Sequence, residues 1–551
     1  MRKRWYALLL LVIVALATFA ACRSEDPTPT PAPVATPTPA TPTPQPDLPP
    51  DQPPAEVDGI EIDGVTIFRE GFPIVSEPVT MTVFGQLAPT HAQWEDMEVW
   101  QVIQEKTGIN LEFDMAPAGG GFPERRALMF ASADLPDILM RANLSAAEIA
   151  RHGRDGTLLN ITEMMPEWMP YYYALMHEDP DVAMRITNMD GDIFSLSDIV
   201  TVLAARTDKH FIKTSWLNDI GLDIPTDMFE FTDALRAFRD HDHGPDLGIP
   251  FFPMGAQTID NLLNNMAGTW GLQIQFGQRM NVYDNVVSTW IHSDQFREML
   301  IWFNYAYENG LLDPEIFTQD TPRWLAKTQS GRLGFFTVQT DGNHDSTQTM
   351  GLPVLPGFSD NLYKWAQVAA RNPGTFALTY QARFPEAALR MVDYFFSPDG
   401  SNLVRFGVEG STMEFVDGLP VYHDGILNHP DGHPTAIGQF TFWPGAGAPQ
   451  WINEINGVAV LSEATLRAQA ALDPFIQPQV LPAPLFDLDT AERLAILQGD
   501  IHTFMNMSVA QFIRGEMFFD EWDAYVETLY QIGIEEWVAI YQMALDRVLS
   551  S

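Results

Sequence analysis

The stretch VTMTVFGQLAPTHAQWEDMEVWQVIQEKTGINLEFDM, residues 79–115, decides the fold class. Its first seven residues alternate apolar and polar, the period of a half-buried strand. Met97, Trp100 and Ile103 then recur at helical spacing, and Gly108 sits where a helix would stop. INLEFDM alternates again. Downstream, ERRALMFAS (124–132) reads as a second helix and PDILM (136–140) as a short buried strand. Strand, helix, strand, helix, strand with short connections describes right-handed crossovers on a parallel sheet, an α/β lobe.

Upstream of this unit the chain changes character. Arg2, Lys3 and Arg4 precede an apolar run from Trp5 to Phe19, followed by Ala20, Ala21 and Cys22, the single cysteine of the 551 residues. Charge, apolar run and small residues make a secretory signal. Phe19-Ala20-Ala21-Cys22 resembles the lipobox of bacterial lipoproteins, with Phe19 where leucine is usual. That resemblance implies cleavage before Cys22 and a diacylglycerol on its sulfur. Two acyl chains suffice for stable anchoring. A lone cysteine excludes intrachain disulfides and cysteine-ligated zinc or iron–sulfur sites. Thirteen of residues 23–54 are proline, so this stretch favours polyproline II and reaches on the order of 100 Å as a tether. The net charge of −41 disfavours a nucleic-acid partner.

A second set of elements follows. PTDMFEFTDALRAFRDH (225–241) places Met228, Phe231, Leu235 and Phe238 on one helical face. SDQFREMLIWFNYAYENG (293–310) does the same with Phe296, Leu300, Phe303 and Tyr307. RLGFFTV (332–338) and TFALTY (375–380) read as strands, and PEAALRMVDYFF (385–396) as a helix with proline in its first turn. The final stretch, 519–549, reads as two helices broken at Gly533. About 500 residues of mixed α/β exceed one compact domain, so two or more lobes are expected.

KTGINLEF, ASADLPDIL, IKTSWLNDIGLDIPTDMFEFTDALRAF, YENGLLDPEIF, RFPEAALRMVDYFFSPDGSNLVRFGVEG and DEWDAYVETLYQIGIEEWVAIYQMALDR occur in that order between about residues 78 and 548. Together they resemble extracellular solute-binding proteins of the family 1 type, in the large lipoprotein branch that serves oligosaccharide importers of the ABC class. The resemblance implies a two-lobe, periplasmic-binding-protein-like (type II) fold, each lobe a mainly parallel sheet flanked by helices, with the ligand between the lobes. The expected layout is a signal peptide at 1–21 and a lipid-anchored tether at 22–56. Lobe 1 is expected at 57–205 and 333–398, and lobe 2 at 206–332 and 399–551, with the C-terminal helices. The expected protein is monomeric, exported and held at the outer face of the membrane, with importer permease subunits as partners.

No nucleophile elbow, zincin, Walker or dinucleotide motif is present, so catalysis is not expected and no cofactor is required. A surface enzyme acting on polysaccharide, or a ligand-sensing subunit for a membrane kinase, are the alternatives. Sugar recognition calls for flat aromatic platforms rimmed by hydrogen-bonding groups. Trp94 lies in the turn after the first strand, where parallel strands open onto a ligand crevice. Trp443 and Trp451 flank the glycine- and proline-rich loop PGAGAPQ, Trp365 follows a turn, and Trp270 lies in MAGTWG. Asp96 is a candidate rim acceptor. The resemblance adds Trp216, from a pattern in which Lys213 and Ser215 replace the family's arginine and aspartate, and Glu409, in a Gly-x-Glu-Gly-like turn. It also implies an eroded calcium loop at 240–250, with Asp240, Asp242 and Asp246 as candidate ligands.

Overall fold

In a computed structural model the chain is described over residues 58–550, except 120, 133, 242, 244–248, 341–345 and 446. Cys22, the signal and the tether lie outside the described residues. Ten strands build two sheets. In chain order they are β1 (Val79–Leu87), β2 (Ile109–Pro117), β3 (Ile138–Met140), β4 (Leu196–Val200), β5 (Lys209–Lys213), β6 (Phe252–Gly255), β7 (Leu333–Val338), β8 (Thr349–Leu352), β9 (Ala370–Leu378) and β10 (Trp451–Ile452).

Lobe 1 carries the six-stranded sheet, ordered β10-β4-β9-β3-β1-β2. The opening β-α-β unit forms as its periodicity requires. β1 pairs in parallel with β2 along its whole length and with β3 at Val83 and Phe84. The helix Glu98–Thr107 between β1 and β2 buries Val99, Trp100 and Ile103 and ends at Gly108, whose left-handed φ of 78° suits glycine. Strand β9 runs antiparallel to both β3 and β4, which makes the sheet mixed rather than uniformly parallel. Lobe 2 carries the four-stranded sheet β8-β5-β7-β6, in which only β7 and β6 are parallel.

The strand pairings also redraw the lobe boundaries expected from sequence. Residues 333–352 had been expected in lobe 1, but β7 and β8 hydrogen-bond to β5, so they belong to lobe 2. Residues 399–452 had been expected in lobe 2. Instead Leu403, Val404 and Phe442 pack into the lobe 1 core, and β10 pairs with β4. The chain thus passes between the sheets three times: from β4 to β5, from β8 to β9, and from β10 to the helix Glu463–Leu472. Ala468 of that helix packs against Phe211 and Phe336 of lobe 2. Leu497, Ile501, Phe512, Trp537 and Tyr541 of the C-terminal helices share one core with Phe231, Leu235 and Phe303. Trp100 and Trp302 are core residues, and Gly533 separates the last two helices. Both sheets lie in one compact unit, and no helix among the described residues is long and apolar enough to cross a membrane.

Candidate functional site

The carboxyl ends of β1, β3, β4 and β10 and the amino end of β9 meet along one edge of the lobe 1 sheet, the edge at which all three crossings leave or enter. Ligands of open α/β sheets bind outside such an edge. Gly85 allows it to be tight, since a Cβ there would sit 1.8 Å from the Met140 carbonyl oxygen. Beyond β3 the chain turns through left-handed residues, Arg141 (φ 55°) and Asn143 (φ 51°).

Arg141 is buried and holds the edge together. It donates to the carbonyls of Gln86 (3.3 Å), Phe442 (3.0 Å) and Pro444 (3.3 Å). Burial lowers its pKa to about 10, against the opposing charge of Asp198. His91 Nε2 lies 2.8 Å from the Pro444 carbonyl while its Nδ1 accepts from Trp94 Nε1 at 3.2 Å. This pattern suits a neutral imidazole, and burial together with Arg141 brings the His91 pKa down to about 4. These bonds hold Phe442 and Pro444 at the edge, ahead of β10 in the chain. Beside the loop, Asp198 accepts from Arg371 (3.0 Å) and from Asn372 (2.8 Å), at the start of β9.

On the lobe 2 side, Asp208 accepts from Asn261 (2.9 Å) and Asn265 (3.0 Å). Asn265 in turn accepts from Lys364 at 2.7 Å, and Lys364 lies 3.0 Å from His210. Lys364 is fully buried, and burial lowers its pKa to about 7. Two crossings are tied to each other: Gln367 N donates to the Arg206 carbonyl (2.8 Å) and Arg206 Nη1 to the Gln367 carbonyl (3.1 Å). Lys209 Nζ bonds the carbonyls of Ala204, Thr207 and Gln339. One backbone bond and one side-chain bond thus join the two short segments.

The aromatic candidates separate into two groups. Trp94 corrects the expectation of an open platform: it is fully buried, with Trp100, Phe113 and Phe442 rings 5.1–5.6 Å away. A short 3-10 turn, Trp94–Asp96, swings the indole inward while leaving Asp96 exposed. Trp216, stacked on His243 at 3.6 Å, and Trp270, stacked on Phe358 at 4.7 Å, are likewise core residues of lobe 2. Trp365 is half-buried on a crossing, packed against the lobe 2 core. Trp443 and Trp451 are half-buried at the two ends of the edge loop, and Glu409 is exposed. The carboxylate of Asp240 is gripped by both arms of Arg239 (2.7 and 2.8 Å), while Asp242 and Asp246 lie outside the described residues. Sequence reasoning missed Arg141, Asp198, Arg371, Asn372 and Arg405. Only the turn signal of Asn372-Pro373-Gly374 hinted at them.

No family model matches the chain. It is 22% identical over 513 residues to the fructooligosaccharide ABC transporter substrate-binding protein FusA of Streptococcus pneumoniae serotype 4, covering 88% of this chain and 93% of FusA. The structure of FusA in complex with kestose superposes with a TM-score of 0.72 at 19% identity, over 86% of this chain and 100% of FusA. An extracellular solute-binding protein from Bifidobacterium longum subsp. infantis superposes at 0.73, with 18% identity over 85% and 98% of the two chains. The alginate-binding protein AlgQ2, in a structure without calcium ion, superposes at 0.71, with 19% identity over 86% and 98%. A FusA EF-hand mutant has the same fold, at 0.71, 19% identity, and 86% and 100% coverage. The chain is therefore a relative of the substrate-binding proteins of ABC transporters and carries their two-lobed α/β fold.

Proposed function

We propose that this protein is an exported, lipid-anchored solute-binding protein that captures an oligosaccharide between its lobes and delivers it to an ABC-type importer. The observation that carries this reading is the pair of sheets joined by three crossings, in a chain related to FusA over nearly nine-tenths of its length. Closure of two rigid lobes on a sugar is binding work, not bond-breaking, so the reading asks for platforms and hydrogen-bonding groups and for no catalytic residue. Trp443 and Trp451, with Trp365 on the crossing, are the proposed platforms. Asn143, Arg371, Asn372, Asp96 and Glu409 are the proposed polar rim. Occupancy stabilises the folded state by RT ln(1 + [L]/Kd), about 2.7 kcal/mol at a hundredfold excess over Kd.

The test is a melting-temperature screen against fructo-, manno- and uronate oligosaccharides and peptides, followed by calorimetry of any ligand that shifts the transition. A peptide that binds where every sugar fails would contradict the reading. Anchoring at Cys22 predicts a mature N-terminus at Cys22 with added acyl mass, and an unmodified N-terminus elsewhere would contradict it. Calcium, if bound by the loop at 240–250, requires Asp240 to leave Arg239. A melting temperature unchanged between chelator and millimolar calcium would exclude a stabilising site there.

A further inference from the structure

The chain has 72 acidic against 31 basic residues, so a buried arginine without a carboxylate is unexpected. Arg405, in the last turn of the helix Pro398–Phe406, is one. It is 8% exposed, and its side chain donates no hydrogen bond and forms no ion pair among the described residues; its Nε is sealed from solvent without an acceptor. Its guanidinium carbon lies 4.6 Å from the centre of the Trp443 ring. The charged and titratable groups acting on it are Tyr422, whose hydroxyl donates to the Arg405 carbonyl at 2.7 Å, and Arg371; His433 feels its charge in turn.

The other two arginines of this edge are matched: Arg141 by three carbonyls and Arg371 by Asp198. Burying a guanidinium costs stability unless an acceptor meets it. The Trp443 ring and the negative end of the helix offset part of that cost, but neither supplies the planar pair of acceptors that the guanidinium fork fits. Two further buried polar atoms, Gln450 Oε1 and Trp451 Nε1, at the far end of the segment that begins with Trp443, are also unpartnered among the described residues.

We propose that Arg405 anchors a carboxylate of the ligand, so that the oligosaccharide taken by this protein contains an acidic sugar, seated beside Trp443 with its carboxylate on the guanidinium. The inference rests on the oligosaccharide-binding reading and narrows it to one chemical class. Bidentate pairing of arginine with a carboxylate is charge-assisted and directional. It would supply the missing acceptor only in the bound state, which makes the interaction selective for the acidic sugar over its neutral counterpart.

The experiment is calorimetry of the purified protein with trigalacturonate and trimannuronate, each beside its carboxyl-reduced neutral form, and with kestose. Wild type, Arg405→Gln and Arg405→Lys are compared. The expected result is at least tenfold tighter binding of one uronate than of its reduced form. Arg405→Gln erases that preference and Arg405→Lys keeps part of it, while the ligand-free Arg405→Gln protein melts no lower than wild type. A preference that survives Arg405→Gln, or a drop of several degrees in its ligand-free melting temperature, overturns the proposal. Binding of kestose or a reduced sugar without binding of either uronate overturns it too and leaves the oligosaccharide reading standing. Binding of no sugar at all overturns both.

Discussion

In the body of lobe 2 the fully buried ammonium of Lys327 meets the carboxylate of Asp313, the side-chain oxygen of Gln319 at 2.8 Å and Glu315 at 2.9 Å. On the edge of lobe 1, Arg405 meets an aromatic ring and, among the described residues, no acceptor. Both are buried cations in a strongly acidic chain, yet one is enclosed in a finished network and the other is not. Finished networks hold a fold in one shape, and an unfinished one keeps bonding capacity in reserve. The same contrast runs through the tryptophans. Trp94 is enclosed by rings within lobe 1, whereas Trp443 and Trp451 keep part of their surface open.

The contrast breaks most visibly at Lys327. Lys327→Met leaves the Asp313 carboxylate buried without its cation and is expected to cost about 3–5 kcal/mol, read by urea denaturation. A loss below about 1 kcal/mol, the scale of exposed pairs, would show that water reaches the site. Trp94→Ala is expected to cost a similar amount, about 3–5 kcal/mol of stability. A fully stable Trp94→Ala protein would return this residue to the binding surface.

A pH titration sharpens the comparison at Lys364. Its folded pKa, about 7, lies below the 10.5 of an ordinary lysine because burial opposes the charge. Between those values the unfolded chain binds the extra proton, so stability should rise with pH by up to about 1.4 kcal/mol per unit. Below pH 7 both states carry the proton and the cost of burying it is fully present. The difference between wild type and Lys364→Met should follow that window, and a difference independent of pH would mean that Lys364 stays charged. The smallest effect is expected at Trp443. Trp443→Ala should weaken the ligand about tenfold, near 1.4 kcal/mol, and cost less stability than Trp94→Ala. Unchanged affinity would remove Trp443 from the site.

The local grammar of the chain was legible. The stripe of Trp100 and Ile103, the stop at Gly108 and the break at Gly533 follow from helical period and glycine's backbone freedom, and these elements form where the pattern puts them. Partner choice between strands was not. RLGFFTV reads as a strand from its own residues, but its place between β5 and β6 is set by packing of Phe335 and Phe336 in lobe 2, more than 100 residues from the start of that lobe. Trp94 was misjudged for a related reason. A tryptophan in a turn reads as a loop residue until the ring cluster that receives it, including the distant Phe442, is known. The arginines of the edge give no periodic signal, because their partners are carbonyls from separate segments.

Closure of the two lobes on an oligosaccharide can be read by small-angle X-ray scattering. The radius of gyration of the purified protein is measured alone and with a saturating concentration of the sugar that most raises its melting temperature. Bending at the segments tied by Arg206 and Gln367 should bring the lobes together, so the radius of gyration should fall on binding and return when the sugar is dialysed away. A radius of gyration unchanged at full occupancy, established by calorimetry on the same sample, would contradict the account.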